Sequence, residues 1–95
     1  MKSIYADKYQ QIGLKIAYYR KLRGLTQEQL VRAIIEGREE NHLTQEQLAE
    51  RLELSPAFIG HVEAPNINKA VSLDTLFDVA AALDVPPYKF LLFDE

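Results

Sequence analysis

The sequence has no cysteine, and its 95 residues include only four glycines and four prolines. Without cysteine, the protein has neither disulfide bonds nor thiolate metal sites. No run of apolar residues is long enough to predict a membrane span or a secretory leader, so we expect no membrane partner and a cytoplasmic location. The length suits a single compact domain with one hydrophobic core.

A catalytic or metal-binding constellation is also missing from the sequence. The two histidines, His42 and His61, do not stand with Asp or Glu at the spacing of a metal site. The acidic residues form no recognisable catalytic pair, and no order of Ser, His and Asp indicates a nucleophile. We therefore expect neither an enzyme nor a bound cofactor.

The protein has no excess of positive charge, since its formal net charge is −3. The basic and acidic side chains are unevenly distributed along the chain. Residues 1–24 contain six Lys or Arg and one Asp, whereas residues 25–63 contain three basic and eight acidic side chains. Residues 64–95 contain two basic and five acidic side chains. Because attraction to phosphates scales with the number of cationic contacts, binding to nucleic acid would need a local basic surface.

One hexapeptide, Leu-Thr-Gln-Glu-Gln-Leu, occurs at residues 25–30, the first copy, and again at residues 43–48, the second copy. The offset of 18 residues also relates Arg20 to Arg38. It corresponds to about five turns of an α-helix, so a helix lengthened by it would keep its buried face. A single duplication explains the pattern better than a solenoid, which needs about three or more repeats.

The spacing of apolar residues predicts helices and no β-sheet, because nothing alternates with a period of two. The predicted helices cover residues 6–23, 27–40, 45–52, 56–63, 73–83 and 87–93. The predicted N-terminal caps are Thr26, Thr44, Ser55 and Ser72. The predicted helix ends are Gly24 and Asn41-His42.

Only the second copy leads into a turn. It is followed by Ser55-Pro56, a typical helix start, whereas the first copy continues as helix as far as Gly37. A short helix, a tight turn and another helix predict a helix-turn-helix motif over residues 44–63. The predicted buried positions of the motif are Leu48, Ala49, Leu52, Leu54, Ile59 and Val62. The predicted outward positions of its second helix are Ser55, Pro56, Ala57, Gly60 and His61.

Residues 43–63 resemble the Xre, or Cro/phage-repressor, helix-turn-helix family, and residues 72–85 resemble that family's fourth helix. The resemblance implies an all-α, lambda-repressor-like DNA-binding domain of five helices over residues 25–95, with residues 1–24 as an additional N-terminal helical arm. It implies a sequence-specific transcriptional regulator that inserts its recognition helix into the major groove. The implied partners are double-stranded DNA and a second copy of the chain, in a homodimer.

The resemblance also implies roles for individual residues. Thr44 and Gln45 begin the first helix of the motif, where Gln45 would contact a DNA phosphate. Arg38 and Glu63 match an ion pair that ties the first helix of the domain to the recognition helix. The positions that would face DNA bases are Ser55, Pro56, Ala57, Gly60 and His61. The loop positions that would contact the DNA backbone are Asn66, Asn68 and Lys69.

Several positions depart from the family pattern. Glu53 stands where the turn usually has Gly, and Pro65 stands where the following loop usually has Gly. Among the base-facing residues, only Ser55 and His61 have side chains that form hydrogen bonds. The alternative function is therefore a protein-interaction module, or a duplicated-segment folding variant, with weak or no DNA binding.

The repeat leaves open which segment forms the first helix of the domain. Ile34 and Arg38 favour residues 27–40, and we expect that assignment. The alternative keeps residues 9–23 in that position, and one copy then loops out. Because two segments suit one position, the unused segment could fill it in a neighbouring chain, which predicts an altered or domain-swapped oligomer.

Two apolar surfaces are compatible with either the protein's own core or a dimer contact. One is a face of the N-terminal helix at helical spacing. It contains Tyr5, Tyr9, Ile12, Ile16 and Tyr19. The other is the short apolar tail over residues 87–93, which would be unusual if left exposed on a monomer.

Overall fold

The computed structural model describes residues 4–40, 55–64 and 70–93, without the side chains of residues 38–40. These ranges contain four α-helices and one 3₁₀-helix, and they contain no strand. The helices are α1 (Ala6–Leu22), α2 (Gln27–Glu40), α3 (Pro56–Glu63), α4 (Leu73–Leu83) and the 3₁₀-helix Pro87–Leu91. The all-α class is confirmed. The predicted helix over residues 45–52 lies outside the described residues, so the five-helix count is not supported.

Local sequence signals set the helix ends. The hydroxyls of Thr26, Ser55 and Ser72 each accept a hydrogen bond from the backbone N–H three residues later, at 3.0 to 3.1 Å. These bonds satisfy donors that the first turn of a helix leaves free, so the three predicted caps are confirmed. Gly24 follows α1 with φ of 72°, a left-handed conformation that glycine adopts without steric cost.

A single core joins the four α-helices and the 3₁₀-helix that the structure describes. The bulkiest fully buried side chain is Phe90 of the 3₁₀-helix, and Tyr19 of α1 packs edge-on against it at 5.3 Å between ring centroids. The apolar tail therefore closes the core through Phe90, whereas its Tyr88 and Leu92 stay exposed. The buried apolar residues are Ile12, Ile16, Leu30, Val31, Ile34, Ile59, Val62, Leu76, Val79, Ala80, Leu83, Val85 and Phe90.

Helix α1 belongs to this core and is not an additional arm. Ile12 and Ile16 are almost fully buried, and the backbone of Gly13 lies directly against α3. A Cβ atom at Gly13 would overlap the carbonyl oxygen of Val62, so this close approach requires glycine. The prediction that residues 1–24 form an extra N-terminal helix is thus not supported, because α1 supplies apolar side chains that the other helices need to complete the core.

In the ranges that the structure describes, no helix is both long enough and apolar enough to cross a bilayer.

Candidate nucleic-acid interface

Helix α3 lies between α1 and α2, and its inner side is fixed by apolar packing. Ile59 and Val62 point inward and are 1% and 3% exposed. Both were predicted to lie on the inner side of the recognition helix, and the structure confirms their burial. Pro56 occupies the first turn of α3, where its missing N–H is not needed for an intrahelical hydrogen bond.

An ion pair ties the C-terminal end of α3 to α1. Arg20 donates two hydrogen bonds to the Glu63 carboxylate, from Nε at 2.7 Å and from Nη2 at 2.8 Å. A third bond, from Nη1, reaches the carbonyl oxygen of Leu25 at 2.7 Å. Both charged side chains are at least nine-tenths buried. The hydrogen bonds to Glu63 raise the pKa of Arg20 above its ordinary value, so the guanidinium stays charged near neutral pH.

The first residue of α2 completes this cluster. Gln27 donates a hydrogen bond from its side-chain amide to Glu63 at 3.1 Å. The same amide lies over Gly60, where an added Cβ would stand 3.4 Å from the Gln27 side-chain oxygen. Gly60 therefore faces α2 and is half-buried, which differs from the outward position predicted for it. The absence of a side chain at Gly60 leaves room for the Gln27 amide.

The partner of Glu63 differs from the one that the sequence favoured. We expected Arg38, but the carboxylate is bound by Arg20, which stands 18 residues earlier, and the side chain of Arg38 lies outside the described residues. The reason is steric. Gly13 allows α1 to approach α3, whereas the residue at the same offset in α2 is the β-branched Val31. Residues 9–23 therefore hold the position of the first helix, which was the alternative assignment.

The outer side of α3 is exposed and has few polar groups. Pro56, Ala57 and His61 are exposed, and of these only His61 has a side chain that can donate or accept a hydrogen bond. Ser55 is half-buried, and its hydroxyl oxygen already accepts the Phe58 backbone N–H. The outer side is thus a small, mostly apolar surface with one imidazole on it.

Several predicted contact residues fall outside the described ranges. They are Thr44, Gln45, Asn66, Asn68 and Lys69. The structure describes the equivalent of Gln45 in the first copy, Gln27, beside α3.

Three of the basic side chains near the N-terminus are engaged within the protein. Lys8 and Lys15 place their ammonium groups 4.7 Å and 5.1 Å from the centre of the Phe93 ring. Arg23 donates hydrogen bonds to the carbonyl oxygens of Leu83 and Asp84 at the end of α4. These contacts hold the C-terminal part of the chain against α1. These contacts join residues 60 or more positions apart, so local sequence spacing does not predict them.

Among the side chains that the structure describes, no three His, Asp or Glu residues stand close enough together to hold a metal ion.

A helix-turn-helix family model matches residues 34–90, which is more than half of the chain. No curated protein and no solved structure matches the chain. The family match begins within α2 and contains the second copy of the repeat, together with α3, α4 and most of the 3₁₀-helix.

Proposed function

The chain belongs to the Xre, or lambda-repressor-like, helix-turn-helix family of DNA-binding regulators, and from this premise we propose that it is a transcriptional regulator that recognises specific DNA sequences with α3. The observation that carries the proposal is the contrast between the two sides of α3. Ile59, Val62 and Glu63 hold the inner side in place, while the outer side is open to a ligand. A helix fixed in this way can enter the major groove without first being ordered.

The exposed side chains define how α3 would recognise DNA. His61 offers a ring nitrogen to a base edge, and Ala57 offers a methyl group to the methyl of thymine. Ser55 can donate its hydroxyl proton, since its oxygen already serves as the helix cap. Three small contacts of this kind give limited discrimination, so sequence-dependent DNA shape supplies part of the specificity.

Contacts with the DNA backbone would come from segments that flank α3. We assign them to Thr44 and Gln45 and to the loop residues Asn66, Asn68 and Lys69, from their match to the family pattern. The phosphate contacts fix the position of the protein along the duplex, and the bases are then read by α3.

A selection from random double-stranded DNA tests the proposal. The protein as a whole is expected to enrich one sequence. A two-fold symmetric enriched site would support binding as a homodimer. The affinity for that sequence should fall as salt increases, and Lys69→Ala should reduce the salt slope by about one without changing the enriched sequence. No enriched sequence together with no salt-dependent binding would overturn the proposal.

A second function, binding to another protein, is favoured because basic side chains of the N-terminal segment already have partners within the protein. Lys8, Lys15 and Arg23 are engaged with Phe93 and with the end of α4, and the net charge is negative. A helix-turn-helix domain with this charge distribution could bind another protein through the outer side of α3. The salt dependence separates the two functions, because counterion release accompanies binding to the DNA backbone.

A further inference from the structure

The family match covers only the second copy of the repeat, whereas the structure shows the first copy beside α3. In the structure, the first copy begins α2 and contributes Gln27 to the cluster around Glu63. The family model instead matches residues 34–90, a range that excludes the first copy and contains the second copy. The sequence thus contains two segments that suit one position in the fold.

The residues that fill this position in the structure have close equivalents at the end of the second copy and just after it. Leu30, Val31 and Ile34 of α2 are buried in the core. Their equivalents at an offset of 18 residues are also apolar and of similar or smaller size. They are Leu48, Ala49 and Leu52. A segment that begins with the second copy therefore has apolar residues at the spacing that this packing requires, and Ala49 is small enough to allow closer contact with a crossing helix.

The neighbouring position in the fold is occupied by α1, and the residues of α1 that make its contacts have equivalents in α2. Ile16 and Arg20 of α1 pack on the core and on Glu63. The residues at the same offset are Ile34 and Arg38, which preserve both the apolar contact and the charge. A helix shifted by about five turns presents the same face, so α2 can present these residues as α1 does.

We propose that the chain has two arrangements, in which either α1 or the α2 segment packs against α3. When α2 replaces α1, the second copy replaces the first, Arg38 replaces Arg20 at Glu63, and Gln45 replaces Gln27. The second arrangement restores a contiguous helix-turn-helix over residues 44–63. This inference concerns the folding of the chain and goes beyond its proposed function as a DNA-binding regulator.

Two pairs of equivalent residues set the balance between the two arrangements. Gly13 lets α1 approach the Val62 carbonyl, and Val31 would place a branched side chain at the same point. The second difference is Gly24, which is left-handed after α1 and is replaced by His42 at the same offset. A non-glycine residue in that conformation costs about 1–2 kcal/mol. Both differences favour the arrangement with α1. The first difference also predicts that Val31→Gly shifts the balance towards the arrangement in which α2 packs against α3.

The two arginines provide a thermodynamic test. If Arg38 can replace Arg20, then Arg38→Ala raises the unfolding equilibrium constant much more in an Arg20→Ala background than in the natural sequence. We expect a difference of about tenfold, which corresponds to a coupling of about 1.4 kcal/mol between contacts that substitute for each other. An effect of Arg38→Ala that is the same in both backgrounds would contradict the exchange.

Cross-linking provides a test that does not depend on the stability of the arginine variants. Because the natural chain has no cysteine, two introduced thiols report one contact. The Gln27→Cys, Gly60→Cys pair reports the arrangement with α1, since a Cβ atom at Gly60 would lie 3.4 Å from the Gln27 side-chain oxygen. The Gln45→Cys, Gly60→Cys pair reports the other arrangement. A short bismaleimide reagent is added to dilute protein, and intramolecular product is measured.

The cross-linking experiment includes a matched control at Glu28, whose side chain is 72% exposed beside Gln27. In the Val31→Gly background, the Gln45→Cys, Gly60→Cys pair should give several times the cross-linking yield of the Glu28→Cys, Gly60→Cys control. The cross-linking yield of the Gln27→Cys, Gly60→Cys pair should fall in the same background. A yield from the Gln45 pair at the control level, with the Gln27 pair unchanged, would overturn the proposal.

Discussion

The two sides of α3 differ in how much they contribute to the fold. The inner side packs through Ile59 and Val62 and ends in the buried pair of Arg20 and Glu63. The outer side carries exposed residues such as Ala57 and His61, which the structure does not use for packing. Stability and the proposed recognition of DNA therefore depend on different sides of one eight-residue helix. Changes on the inner side should unfold the protein, and changes on the outer side should alter binding alone.

The largest expected effect is on the inner side, at Glu63. Glu63→Ala removes the carboxylate and leaves a buried guanidinium without its partner. Breaking a buried ion pair in this way costs about 3–5 kcal/mol of unfolding free energy. The loss cannot be relieved by exchange of α1 for α2, because both arrangements use the same carboxylate. Chemical denaturation followed by circular dichroism measures the effect.

An exposed ion pair provides the control for Glu63. Glu28 lies 3.4 Å from Arg32 on the surface of α2, and both side chains are about two-thirds or more exposed. Glu28→Ala should change the unfolding free energy by less than about 0.5 kcal/mol, since exposed pairs at this spacing contribute little. Equal losses from the two glutamates would show that the pair at Glu63 contributes no more than a surface contact.

An intermediate effect is expected at the N-terminal caps of α3 and α4. Ser55→Ala and Ser72→Ala each remove an oxygen that accepts a backbone N–H, which costs about 1 kcal/mol. Only Ser55 borders the outer side of α3, so only its replacement should also weaken binding to a selected DNA sequence. Thermal unfolding and fluorescence anisotropy measure the two quantities. Weaker DNA binding by both variants to the same degree would argue against a role for Ser55 in recognition.

Features that depend on local sequence could be predicted well. Ser55 followed by Pro56 indicates a helix start wherever it occurs, because the cap and the fixed φ act within one turn. The burial of Ile59 and Val62 follows from their helical spacing, which is also a local property. The bounds predicted for α2, α3 and α4 agree with the structure for the same reason.

The choice between two equivalent segments could not be made from local sequence. Arg20 and Arg38 have the same charge and the same spacing from a copy of the repeat, so spacing alone did not identify the partner of Glu63. The distinguishing signal was Gly13. A glycine inside a helix costs about 1 kcal/mol relative to alanine, and its presence therefore indicates a close contact with another element. Its equivalent, Val31, carries no such signal.

The smallest effect on stability is expected at His61, on the outer side of α3. Because this side chain is exposed, His61→Ala should change the unfolding free energy by less than about 0.5 kcal/mol. Loss of one hydrogen bond to a base should lower the affinity for the selected DNA sequence by roughly 3- to 10-fold. His61→Gln keeps a donor and an acceptor at the same position, so it should retain part of the affinity and change the base preferred there. If His61→Ala binds the selected sequence as tightly as the natural protein does, the imidazole is not a base contact, and recognition by α3 would have to depend on Ala57, Ser55 and DNA shape.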